Sequence, residues 1–78
     1  MTGAVTIVGT ENMVIDQCQF ANIRMTDYAD ALFDVADSSG IVVQNTIFTN
    51  NSATNLDPSE LILFQNNTFS GNSFDENE

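Results

Sequence analysis

Seventy-eight residues hold one domain at most, and a single Cys with no His excludes both an internal disulfide and a usual zinc site. One basic residue, Arg24, faces eleven acidic ones for a net charge of −10, which excludes phosphate neutralisation, hence nucleic acid, and attraction to an anionic membrane. A chain this short buries only about 60% of its unfolded surface, so association is the expected way to complete its core.

Val, Ile and Thr supply 20 residues and Asn ten, a composition of β-strands punctuated by amide-rich turns. The Met-Thr-Gly start has the features of no signal peptide, and no apolar run approaches a membrane span. In chain order, residues 4–8 read as a strand with Val5 and Ile7 on one side, and residues 9–12 as a turn. Residues 13–15 form a second strand, Asp16 and Gln17 a turn, and residues 18–20 a third strand. Residues 23–30, with Arg24 and Tyr28, read as a loop.

The series then starts again. Residues 31–36 match residues 3–8 at an offset of 28, residues 37–40 match the first turn, 41–43 the second strand and 46–48 the third. Residues 52–59, with the Asp57-Pro58 turn signal, form the second loop. A third, shorter copy runs from Glu60, with one strand and its turn fused or missing. Residues 74–78 read as a frayed acidic tail. A helix from Met25 to Ala36, capped by Thr26 and stopped by Gly40, competes locally; the match to residues 3–8, flanked by glycines, decides for strand.

The same stretch thus appears three times: MVIDQCQFANI at 13–23, IVVQNTIFTNN at 41–51 and ILFQNNTFSGN at 62–72. Repeats this short cannot bury an apolar face alone, whereas stacking them does. The expectation is an all-β coil of about three turns (residues 3–30, 31–59 and 60–73) forming one module over residues 1–73. Equivalent strands would lie about 4.8 Å apart in parallel sheets. Phe20, Phe48 and Phe69 form one internal ladder, and Ile15, Val43 and Phe64 another. Cys18, Thr46 and Asn67 share a small inward position, where Cys18 serves as a small hydrophobe. The amides of Gln17, Asn45 and Asn66 stack at one corner and those of Asn51 and Asn72 at another, hydrogen-bonding to one another along the axis.

These ladders resemble the right-handed parallel β-helix (solenoid) of the pectin-lyase-like superfamily. The Phe-x-x-Asn pieces at 48–51 and 69–72 are similar to repeats of polymorphic outer-membrane and adhesin-type passenger proteins. Ile23 stands where the first copy should carry Asn, and the Gly-Gly-Ala-Ile partner motif of those proteins is absent. The resemblance implies an extracellular or cell-surface protein. Lyases of this fold use an Arg or Lys base, and its glycosidases use clustered Asp with His. Here Arg24 stands alone, without Lys or His, and no nucleophile–base pair, phosphate loop or EF-hand spacing is found.

The chain therefore reads as non-enzymatic and calls for no cofactor or metal. Asp27, Asp30, Asp34 and Asp37 read as a solvated face, because calcium needs six to eight converging oxygens. Asn50 and Asn66 begin acceptor sequons for glycosylation. The function expected is a structural or adhesive module that stacks on copies of itself, as homo-oligomer or filament, or on adjacent repeats. The alternatives are a fragment of a carbohydrate-active enzyme whose catalytic turns lie elsewhere, and a glycan-binding surface without catalysis.

Overall fold

A computed structural model describes residues 3–25 and 30–76. They form ten strands: β1 (Gly3–Val8), β2 (Glu11–Asp16), β3 (Gln19–Ala21), β4 (Ala31–Ala36), β5 (Ser39–Gln44), β6 (Ile47–Thr49), β7 (Ser52–Asn55), β8 (Ile62–Gln65), β9 (Thr68–Ser70) and β10 (Ser73–Glu76). Among the described residues there is no helix. The strand reading of 31–36 holds, while Asp27, Tyr28 and the proposed cap Thr26 lie outside the described residues.

All pairings are parallel, in three sheets ordered β1-β4-β7-β10, β2-β5-β8 and β3-β6-β9. The chain visits each sheet in turn and returns one strand further along, the coiling path of a solenoid. Met13, Ile15 and Asp16 pair with Ile41, Val43 and Gln44, and these with Ile62, Phe64 and Gln65. Alternate residues face the interior, as the pleat requires, so Ile7, Phe33, Val35, Ile41, Val43 and Phe48 form a buried core.

Corners are ladders of left-handed backbone. Positive φ recurs at Gly9 and Asp37, at Asn12 and Gly40, at Gln17, Asn45 and Asn66, and at Asn22, Asn50 and Gly71. Each set keeps the strand register, because stacked corners must bend alike. Asn and Gly dominate because they enter this region at least cost. At Gly71 (φ 69°) it is the left-handed backbone that calls for glycine, since the one close neighbour of an added Cβ, the Asn50 Oδ1 at 2.5 Å, is the end of an exposed side chain that can swing away.

Three expectations are corrected. Residues 52–59 are not all loop: β7 is held to the first turn by the Arg24–Ser52 bridge, with Met25 N–H donating to the Ser52 carbonyl (2.8 Å) and Ser52 N–H to the Ile23 carbonyl (2.8 Å). Its Ser-Ala-Thr-Asn sequence hides this, because the one inward residue is the small Ala53. The acidic tail begins later than residue 74: β10 pairs with β7, setting Phe74 on Ala53, and Phe74 is 3% exposed. Burial of the Phe74 ring holds this segment in the sheet.

The third turn is also shortened differently. Arg24 and Ala31 pair with Ser52 and Asn55, so seven residues of the first turn correspond to three of the next. Ala31 and Ile41 pair with Asn55 and Ile62, so ten correspond to seven. The four and three residues lost account for the change of offset from 28 to 21. No strand is deleted outright; its place is taken by residues 55–57, where Leu56 is buried and its carbonyl accepts the Phe33 N–H at 2.9 Å. A turn at Pro58 and Ser59 follows, held by the buried Asp57 carboxylate, which accepts from the Ser59 hydroxyl and the Ile62 N–H.

Phe48 is fully buried in the middle turn and Phe69 is 44% exposed in the last. Phe48→Ala should remove about 3–5 kcal/mol, a large share of the stability of a domain this size, and Phe69→Ala markedly less. Urea titration followed by far-ultraviolet circular dichroism measures both; equal losses would contradict this account of the core.

Candidate functional site

The features left for function lie at the ends and corners of the coil. Phe20, Phe48 and Phe69 are in register. Their rings stack at centroid distances of 5.1 Å (13°) and 4.6 Å (3°). Phe33 meets Phe20 and Phe48 edge-on, at 5.5 and 6.1 Å, and Phe64 at 5.9 Å. Ile15, Val43 and Phe64 form the parallel column beside them. The aromatic stack runs out at Phe69, on a face where β8, β9 and β10 are last in their sheets. A hollow of about 290 Å³ opens there, lined by Phe69, Gly71, Asn72 and Phe74.

The asparagines do something other than pair with each other's amides. Asn51, 1% exposed, accepts the Ile23 N–H (3.0 Å) and donates Nδ2 to the Phe20 carbonyl (3.0 Å). Asn72 repeats this one turn on, accepting the Asn51 N–H (2.9 Å) and donating to the Phe48 carbonyl (2.9 Å). Each side chain grips the backbone of the preceding corner with its donor and its acceptor. Corner groups cannot join a strand ladder, and leaving them unmatched inside the protein is costly.

At the other corner the expectation for Asn66 is corrected. The gripping residue is Asn67, which accepts the Thr46 N–H (3.0 Å) and donates to the Val43 carbonyl (3.0 Å). Thr46 makes half of the same contact: its hydroxyl donates to the Gln44 carbonyl (2.8 Å) and receives the Cys18 N–H at 3.5 Å. Gln17, Asn45 and Asn66 supply the left-handed backbone instead, and Asn45 Nδ2 reaches the Asp16 carboxylate at 2.9 Å. One rule covers both corners: a left-handed residue is followed by an inward gripping residue, as in 50–51, 66–67 and 71–72. The paired asparagines were the signal in the sequence. Asn50 and Asn66, the sequon positions, are the exposed members of their pairs.

Cys18 takes the inward register position but is exposed, its thiol donating to the Asp16 carbonyl at 3.3 Å. It lies on the first turn, with no described strand beneath it, so the small-hydrophobe expectation fails there. Arg24 is exposed and lines a polar hollow of about 380 Å³ with Asn22, Asn50, Asn51, Ser52, Gly71 and Ser73. Of the acidic series, Asp30 is buried, Asp34 half-buried on the outer side of β4, and Asp37 exposed at a corner. Among the described residues, no three His, Cys, Asp or Glu side chains come together as a metal site.

Comparison with protein-family models, curated proteins and solved structures returned no match. The reading of this site rests on its geometry.

Asn51→Ala leaves the Ile23 N–H and one bond of the Phe20 carbonyl unmet, and should cost about 1–3 kcal/mol in urea titration. Asn66→Gly, which removes the side chain but keeps the left-handed backbone, should cost less, because the grip stays with Asn67; the reverse order would overturn this assignment. The Cys18 thiol should react with a disulfide reagent in the native protein nearly as fast as in denaturant, and strong native protection would show that it is covered.

Proposed function

We propose that this chain is a right-handed parallel β-helix of the pectin-lyase-like type, serving as a non-enzymatic structural or adhesive module of a secreted or cell-surface protein. It acts by end-on stacking, on copies of itself or on adjacent repeats. The observation that carries this reading is the open end of the aromatic stack: Phe69 is 44% exposed while the equivalent ring one turn inside, 4.6 Å away, is sealed. An uncovered strand edge beside an apolar ring is a template for another strand. The charge of −10 opposes close approach of copies and keeps association conditional on screening.

A glycan-binding surface is the second reading, favoured by the polar hollow around Arg24, with its amides and hydroxyls. One cation without a second basic group suits recognition better than proton abstraction. An oligosaccharide array on which the chain stays silent would remove this reading.

Sedimentation velocity from about 1 μM upward, in about 0.01 M and about 1 M salt, separates screened from unscreened conditions. Association should increase with protein concentration and be stronger in high salt. A monomer throughout would remove stacking of copies.

A further inference from the structure

The two ends of the coil are not equivalent, and the difference lies at the corners. Every grip points backward along the chain: Asn51 holds the first turn, and Asn72 and Asn67 hold the second. In the register of these contacts, the groups a fourth turn would hold are the Asn72 N–H with the Phe69 carbonyl, and the Asn67 N–H with the Phe64 carbonyl. Among the described residues no turn lies beyond them, and Phe69 and Asn72 line the hollow at that face. At the opposite end, the position of Asn51 and Asn72 is occupied by Ile23, and that of Thr46 and Asn67 by Cys18. Isoleucine offers neither donor nor acceptor.

Resting on the stacking reading, we infer that the face formed by the third turn is a docking surface for a parallel β-rung carrying Asn after a left-handed residue. Residue 23 is what makes the chain's own first turn a poor occupant. A copy stacked head to tail sets Phe20 on Phe69 and continues the aromatic column. It also buries the Asn72 N–H and the Phe69 carbonyl against Ile23, leaving the corner unmet. An Asn-bearing rung, such as an adjacent repeat built like residues 60–76, satisfies ring and corner together. Strand edges and aromatic rings supply generic adhesion, and the carboxamide supplies the choice of partner.

The test gives the first turn the missing group. Ile23→Asn, Ile23→Ala and the unaltered chain are compared by sedimentation in about 1 M salt, where repulsion is screened. Ile23→Asn should associate at about a tenth of the concentration the unaltered chain requires, the effect of about one well-made polar contact. Ile23→Ala, which only loosens the edge, should not. If the unaltered chain associates and Ile23→Asn is no tighter, the corner inference is wrong and the stacking reading survives. If neither associates although Ile23→Asn keeps its β circular dichroism, the corner inference and the stacking of copies are both wrong.

Ile23 also packs against the core, so a second measurement covers misfolding of that variant. A peptide of residues 60–76 should bind the unaltered chain about ten-fold more tightly than the same peptide carrying Asn72→Ile. Equal or undetectable binding of the two overturns the inference.

Discussion

A parallel register that lays Phe48 between Phe20 and Phe69 is the constraint on which the rest of this molecule depends. A ring sandwiched at about 5 Å on both sides is dry, and Phe33 and Val43 in the same turn are equally sealed. Only the middle turn enjoys cover on both faces. The flanking turns give up some of their own burial to provide it, so the exposure of Phe69 and Cys18 has the same cause as the dryness of Phe48. In a domain this small, that trade sets both the stability and the surfaces left to interact.

Much of the architecture was legible because the repeat works at two levels. Apolar positions recur at the strand spacing, and Asn or Gly recurs at the corners, so residues 31–36 align with residues 3–8 through strand and turn alike. What escaped was what the pattern does not encode in side-chain size. Strand β7 is Ser-Ala-Thr-Asn, whose inward residue is small because Phe74 fills the space above it. The end of the third turn looked like tail because its acids outnumber its single inward ring. Amides at the corners are plain in the sequence, but their partners are not. Stacked amides suggest bonds to one another, whereas the groups they meet are on the backbone of the adjoining corner. That difference moved the working residue from Asn66 to Asn67.

Corners and strands therefore do different jobs. Backbone ladders and stacked rings tolerate any extended segment of suitable shape, which makes them adhesive without being selective. The corner is met in full by a carboxamide, at Asn51, Asn67 and Asn72, with left-handed backbone just before it in each preceding residue. A net charge of −10 discourages indiscriminate contact at long range, and the corner discriminates at short range. Selectivity thus needs no pocket of the usual enclosed kind.

The backward direction of the asparagine grips has a bearing on how the molecule is made. Synthesis delivers the N-terminal residues first, so Phe20 and Ile23 leave the ribosome before Asn51, and Phe48 before Asn72. Each grip closes on backbone that already exists, and none waits for a partner still to be translated. Assembly can then advance like a ratchet, every new turn locking the one before it. The loops it closes are the length of one repeat, 28 and then 21 residues, which keeps the entropy of each step small and nearly equal.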